Sequence, residues 1–262
     1  MRNNFTVLQI PGFAPAQYGR EIRLFGRLDS TNAEMHRLFQ ADAAVEGLTL
    51  VAEEQTAGRG RYGREWVSPR RCGLWFSVLV FSPPNRLGQR VIPLLTGVAA
   101  ARGIRRATGL PAMLKWPNDL MLRMKKTGGI LCETVGTNGG VICGVGVNMK
   151  SEGHPYLQKS QDATALRNHC ASDLDRNSLL KAILEEIEIW MAALRAEGAD
   201  VILREWRELE ITAGERVLVE RGDQQIIGFS QGIDEDGTLL VETDDGRLHN
   251  IEAGSVHFLE VD

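Results

Sequence analysis

The apolar positions of this chain fall into runs of two kinds. Leu48-Thr49-Leu50-Val51-Ala52 and Gly73-Leu74-Trp75-Phe76-Ser77-Val78-Leu79-Val80 are nearly continuous, the pattern of strands buried on both faces. Arg23-Leu24-Phe25, Met113-Leu114-Lys115-Trp116, Leu120-Met121-Leu122, Gly129–Glu133 and Val141–Asn148 add candidate strands. Between them, apolar residues recur at helical spacing. One helix begins at Thr31, which makes a capping box with Glu34, and carries Met35, Leu38 and Phe39. Another spans roughly Leu87–Thr108, with Val91, Leu94, Leu95, Val98 and Ile104 inward, and is closed by Gly109 and Pro111. A third starts behind Asn177 as N-cap and runs through Leu180, Ile183, Leu184, Ile187, Met191 and Leu194 to Gly198; a fourth covers Val201 to about Leu209. Strands interleaved with helices predict a mixed α/β (α+β) sheet.

From Gly214 onward the texture changes. Short alternating strands (Arg216–Glu220, Gln225–Ile233, Thr238–Glu242, Leu248–Ile251 and Val256–Glu260) are separated by Gly- and Asp-rich turns, the pattern of a small β-barrel. A unit of about fifty residues is marginal alone, so it is expected to pack on the larger one. Residues 1–20, with Pro11, Gly12, Pro15 and Gly19, predict an irregular arm too short for a helix-turn-helix domain. The expected organisation is an arm over 1–20, a main domain over 21–212 and a small one over 213–262.

A hydrophobic content of 43% and a charged content of 24% fit an ordinary soluble globular protein. A formal net charge of -4 gives no electrostatic case for nucleic acid, so local basic clusters need local explanations. Cys72, Cys132, Cys143 and Cys170 form no C-x-x-C pair and read as reduced thiols of a cytoplasmic protein. The longest apolar runs, near Leu74–Phe81 and Val91–Ala101, fall short of the roughly eighteen residues a membrane span needs, and the amino terminus lacks a signal-peptide layout.

The chemistry concentrates in Gly58-Arg59-Gly60-Arg61-Tyr62-Gly63-Arg64, three glycines and three arginines in seven residues. The G-x-G-x-x-G match to a dinucleotide site fails, because the Pro-stopped segment Trp66-Val67-Ser68-Pro69 follows instead of a helix. No carboxylate stands about twenty positions on. A flexible loop carrying guanidinium groups remains. Its glycines let backbone N–H groups approach an anion, and its arginines suit carboxylate and phosphate. Pro117-Asn118-Asp119 is a turn signature, and Arg123-Met124-Lys125-Lys126-Thr127-Gly128 reads as a basic turn between two strands.

Ser30-Thr31-Asn32, Gln55 with Gly58–Trp66, Lys115-Trp116-Pro117-Asn118-Asp119-Leu120, Lys126-Thr127-Gly128-Gly129-Ile130-Leu131 and Gly144-Val145-Gly146-Val147-Asn148-Met149 together resemble a biotin–protein ligase, in order and from about Ile22 to the end. The resemblance implies a core like that of class II aminoacyl-tRNA synthetases plus an SH3-like barrel. It implies activation of biotin by ATP, with Mg2+ expected alongside, to biotinyl-5′-AMP and pyrophosphate. Transfer then follows to a lysine of the biotin carboxyl carrier protein of acetyl-CoA carboxylase or a related carboxylase. A homodimer is left open, and DNA is not expected as a partner.

Carried over by motif, the biotin-binding set is Ser30, Thr31, Asn32, Gln55, Gly58, Arg59, Gly60, Arg61, Lys126, Gly128 and Gly129. The ATP-binding set is Arg61, Arg64, Trp66, Asn118, Lys126 and Asn148. Arg61 and Lys126 are the expected catalytic residues, since two anionic reactants must meet and fixed cations lower that barrier. Asp119 is a candidate either to hold magnesium or to orient the incoming lysine. Trp66 has two readings, packing over adenine or over core, and Trp116 reads as core.

Overall fold

The computed structural model describes residues 4–82, 86–170 and 174–259. In chain order the elements are β1 (Phe5–Val7), β2 (Ile22–Phe25), α1 (Thr31–Gln40), β3 (Thr49–Ala52), β4 (Gly73–Phe81), α2 (Arg86–Thr108), β5 (Met113–Lys115), β6 (Asp119–Leu122), β7 (Lys125–Val135) and β8 (Gly140–Asn148). They continue with α3 (Arg176–Glu197), α4 (Asp200–Leu209), β9 (Arg216–Arg221), β10 (Gln224–Ile233), β11 (Leu239–Glu242), β12 (Leu248–Ile251) and β13 (Ser255–Phe258). One sheet has eight strands in the order β1-β2-β3-β4-β8-β7-β6-β5, and a second has five in the order β12-β11-β10-β9-β13. β2 and β3 pair in parallel while β3–β4, β4–β8 and β7–β8 pair antiparallel, so the large sheet is mixed.

Strand alternation divides the large sheet into two faces. Leu74, Phe76, Val78 and Val80 of β4, with Val141, Cys143, Val145 and Val147 of β8, join a large core with α2 and α3. Leu79 and Ile142, from the other parity, join a smaller cluster with Met35 of α1, Phe25 and Leu50. Val217, Val219, Leu239, Val241 and Val256 of the second sheet belong to the large core, so the two sheets share one continuous apolar interior. Trp116 is buried there and donates from its indole to the Gly237 carbonyl (3.1 Å). No helix among the described residues is long and apolar enough to cross a membrane.

Local differences from the sequence expectations have physical causes. The arm contains a strand, β1, because Phe5–Val7 finds the free edge of β2. Helix α1 is capped by Ser30, whose hydroxyl accepts from Ala33 N, and not by Thr31, whose hydroxyl is turned towards Gln55 and Ser77. Helix α3 begins behind Asp175 instead of Asn177. The Asp175 carboxylate accepts from the backbone N–H groups of Asn177 and Ser178, a stronger cap at the positive end of a helix. The basic turn shrinks to Arg123-Met124, and Lys126 lies on β7. The last strand ends at Phe258; Glu260, the expected end, lies outside the described residues.

The strap from α4 to the second sheet carries a buried charge. Glu210 follows α4 and lies beside Gly232, and neither of its carboxylate oxygens has a hydrogen-bond partner among the described residues. Burial pushes its carboxyl above the usual glutamate range, and Thr212 and Arg207 offset this only in part. Because the folded pKa exceeds the unfolded one, folding takes up a proton in that window, and stability falls as pH rises through the folded pKa. Glu210→Gln is therefore expected to stabilise the protein at pH 7 by about 1–3 kcal/mol, with the gain vanishing below the unfolded pKa of about 4. Thermal melts of both proteins at pH 7 and pH 4 check this; equal melting temperatures at pH 7 would contradict it.

Candidate active site

A cavity of about 420 Å³ opens on the α1 face of the large sheet. Its floor is β4 and β8, where the alternation that sends Val145 and Val147 into the core presents Gly144, Gly146 and Asn148 to the cavity. A Cβ on Gly144 would lie 2.4 Å from Asn32 Oδ1, and one on Gly146 would lie 2.6 Å from Trp66 Nε1. These glycines let the Asn32 amide and the Trp66 indole rest directly on sheet backbone. Trp66 stands edge-on to Trp75, and its N–H is buried without a partner among the described residues.

The start of α1 is held by a polar network. Gln55 Oε1 accepts from Thr31 N (2.9 Å) and Thr31 Oγ1 (3.2 Å), while Gln55 Nε2 donates to Ser68 Oγ (2.8 Å). Ser77, fully buried on β4, donates to Asn32 Oδ1 at 2.6 Å and lies 2.7 Å from Thr31 Oγ1. Asn32 Nδ2 donates to Glu133 Oε2 (2.6 Å) and to the Leu131 carbonyl (3.2 Å). Thr31, Asn32 and Gln55 are thus committed to one another. The Ser30 hydroxyl, which only accepts from Ala33 N (3.5 Å), keeps its proton without an acceptor among the described residues.

The Gly/Arg segment forms a tight hairpin. Trp66 N donates to Gly58 O (2.9 Å) and Gly60 N to Arg64 O (2.7 Å). Gly58 serves this closure: a Cβ there would meet Trp66 O at 2.4 Å, and Gly58 does not line the cavity. Arg59, Gly60, Arg61 and Arg64 do line it. Arg59 pairs with Glu133 (3.4 Å). Arg61 lies over the Tyr62 ring, 5.0 Å from its centroid, and donates to the Gly254 carbonyl (3.3 Å) of the second sheet. Arg64 is exposed on the rim.

Across the cavity, a β-bulge sets the cationic end. Leu120 pairs with Gly128, but Met121 pairs with Lys126, so Thr127 is an extra residue in β7. Regular alternation would put Lys126 on the same face as Gly128, towards the helices. The bulge brings it onto the cavity face with Gly129 instead. Gly128 packs towards Leu120 and Gly146 O and does not line the cavity; Gly129 does, against Trp66 and Lys126. Lys126 Nζ forms an ion pair with Asp119 Oδ1 and lies 5.6 Å from the centroid of the Trp66 ring. Lys115 Nζ lies 3.4 Å from Asp119 Oδ2 and donates to Val256 O (3.0 Å). One carboxylate between two ammonium groups leaves this trio net positive.

That pairing also bears on magnesium. Both oxygens of Asp119 face lysines, and among the described residues no three His, Cys, Asp or Glu side chains gather as a metal site. Asp119 therefore does not fit as a resident metal seat. Asn118 and Asn148 line the cavity, but their amides donate to backbone carbonyls of Ile130 (2.8 Å) and Thr164 (3.3 Å). Ser77, Glu133, buried His154 and the Gly254–His257 segment carry no local signal and are all brought in by tertiary contact. Burial holds the His154 pKa below its usual value, which keeps the ring neutral at pH 7.

Residues 24–148 match the Biotin/lipoate A/B protein ligase family and residues 212–259 the Biotin protein ligase C terminal domain. A biotin–[acetyl-CoA-carboxylase] ligase of Mycobacterium tuberculosis is 32% identical over 244 residues, 90% of this chain and 88% of that protein. The chain belongs to the biotin–protein ligase family. The bifunctional ligase/repressor BirA of Bacillus subtilis, a biotin–protein ligase relative, is 30% identical over 260 residues, covering 94% of this chain and 79% of that protein. The structure of the Aquifex aeolicus biotin protein ligase in complex with biotin and ATP matches with a TM-score of 0.79 at 28% identity, over 92% of this chain and 99% of that one.

The network under α1 predicts a stability effect from a residue that does not line the cavity. Ser77→Ala strips the Asn32 Oδ1 acceptor of its buried donor and is expected to cost about 1–3 kcal/mol. Urea unfolding of the two proteins measures it; an unchanged midpoint would show that the network is not formed.

Proposed function

We propose that this chain joins biotin to ATP, forming biotinyl-5′-AMP and releasing pyrophosphate, and then passes the biotinyl group to a carrier lysine. The acceptor is the biotin carboxyl carrier protein of acetyl-CoA carboxylase or a related carboxylase. The observation that carries this reading is the shared cavity, which has Arg61 on one wall, Lys126 on another and polar groups of α1 at its far side. In the first step a biotin carboxylate oxygen attacks the α-phosphorus and the bond to pyrophosphate breaks. In the second, a lysine amine attacks the acyl carbon and AMP leaves.

Both reactants of the first step are anions, so the site has to offer uncompensated positive charge. Lys126 shares Asp119 with Lys115 and can turn to the carboxylate–phosphate junction without leaving Asp119 unpaired. Arg61 can exchange its contact with the Gly254 carbonyl for phosphate oxygens, a better-matched and charged acceptor. The unsatisfied Trp66 N–H and the Ser30 hydroxyl are donors left for a ligand, while Gln55, Thr31 and Asn32 hold the helix end in place. Asp119 orients Lys126 and, in the second step, the incoming amine. Magnesium arrives with the triphosphate, and no step is assigned to a protein-held ion.

The fold reading that goes with this function has a class II synthetase-like core over 21–212, an SH3-like barrel over 213–262 and a short arm over 1–20, in the cytoplasm. A ligase or transferase for lipoate or octanoate is the nearest enzymatic rival, and a panel of biotin, lipoate and octanoate with ATP separates the two. Mass spectrometry of a carrier-domain lysine after incubation with biotin, ATP and this protein tests the proposal. A biotinyl adduct is expected with biotin alone among the three acids; an unmodified lysine would refute it. Arg61→Ala and Lys126→Ala are each expected to lower biotin-dependent pyrophosphate release about a hundredfold, the cost of one transition-state contact. Near-normal release in either variant would remove that residue from the chemistry.

A further inference from the structure

The two residues that join β6 to β7 are in an expensive conformation. Arg123 and Met124 have φ of 50° and 61°, and the flanking pair is Leu122↔Lys125. Two successive positive-φ residues in a two-residue hairpin make the primed turn, whose favoured chemistry is Asn-Gly. A side chain with a Cβ pays for this backbone where glycine does not. Among the described residues, no other two non-glycine residues of positive φ are consecutive.

Nothing within the described fold offsets the cost. Arg123, Met124 and Lys125 are exposed, Met124 to 55%, and none makes a side-chain hydrogen bond or ion pair with a described residue. The turn is one residue from Lys126, so its side chains stand within about 10 Å of chain from the cationic end of the cavity. Lys126 is also pinned on its outer side, its N–H donating to Asp162 O (2.8 Å) and its carbonyl accepting from Thr164 N (2.9 Å). On that outer segment Tyr156 borders the cavity and is 53% exposed, and Asp162 is the one acid of the segment that lines it. The field of Arg123 and Lys125 reaches His169, whose pKa is lowered first by burial and then by those two cations.

We propose that the Arg123-Met124-Lys125 turn is a docking surface for the carrier domain that presents the acceptor lysine, engaging it through acidic side chains near that lysine. The assignment rests on the ligase reading above. A guanidinium and a thioether are groups protein interfaces favour: Arg and Met are enriched there, and Met adapts its shape to its partner, while the Lys125 ammonium adds only charge. Long-range electrostatics points the same way. The chain carries a net charge of -4, so acidic side chains on a partner are repelled by the molecule as a whole and are attracted only at local cationic groups such as these, beside the site. The second step supplies the requirement, since the acceptor amine has to be held at the cavity long enough to attack.

Two double variants test this, each assayed for biotin-dependent pyrophosphate exchange and for kcat/KM with a purified acetyl-CoA carboxylase carrier domain. Arg123→Glu with Lys125→Glu is expected to leave exchange unchanged and to lower carrier kcat/KM at least tenfold at low ionic strength, with the difference shrinking as salt rises. Arg123→Asn with Met124→Gly installs the favoured turn. It is expected to raise the melting temperature while lowering carrier kcat/KM several-fold, a combination that a merely structural turn would not give. Carrier kcat/KM equal to that of the parent in both variants would overturn the docking surface. So would pyrophosphate exchange that falls in step with transfer, because the turn would then act on the first step. Absence of exchange in the parent would defeat the ligase reading itself, and the docking surface with it.

Discussion

Which face of the sheet Lys126 serves depends on one extra residue, Thr127, in β7. Strand alternation is strict, so without the bulge the lysine would point to the opposite face of the sheet, away from the cavity and Asp119. With it, Lys126 meets Asp119, the Trp66 ring and the cavity. The rest of the cationic end follows. Asp119 sits at the start of β6, opposite Gly129, and Lys115 ends the neighbouring β5, so three successive strands deliver two ammonium groups and one carboxylate to one place. The bulge is also local, which leaves the Gly128–Val135 ladder with β8 in register.

The opposite constraint is close approach. Gly144 and Gly146 remove side chains from the middle of the sheet on one face only, and the α1 end and the Gly/Arg hairpin settle into the space. The second sheet then closes the remaining side. Arg61 to Gly254, Lys115 to Val256 and Trp116 to Gly237 are all side-chain donors of the first body reaching backbone carbonyls of the second. The apolar core runs through both, so this wall is fixed by burial and not by these hydrogen bonds alone.

Much of the fold was legible because it is written in local pattern. The continuous runs of β3 and β4, the apolar stripe of α3 and the turn-spaced strands after Gly214 carry their own periodicity. Caps were harder. Thr31 and Asn177 have the right chemistry, but Thr31 is drawn into contacts with Gln55 and Ser77, and Asp175 outcompetes Asn177 by offering a charge to two N–H groups. Lys126 looked like a turn residue because a bulge has no signature in one sequence. Ser77, Glu133, His154 and the β13 edge are invisible at that level, since each enters through partners far along the chain. Of the glycines expected at the site, Gly58 and Gly128 serve backbone packing, and only their close tertiary neighbours, Trp66 O and Gly146 O, separate them from Gly129.

The central claim is that two anions meet between the bulge-placed lysine and the arginine hairpin. A crystal structure of the protein with a non-hydrolysable biotinyl-adenylate analogue tests it most directly. The acyl-phosphate linkage is expected within hydrogen-bond distance of Lys126 Nζ, with the Arg61 guanidinium moved from the Gly254 carbonyl onto the phosphoryl oxygens. A linkage bound away from both cations, with Arg61 still on that carbonyl, would contradict the account.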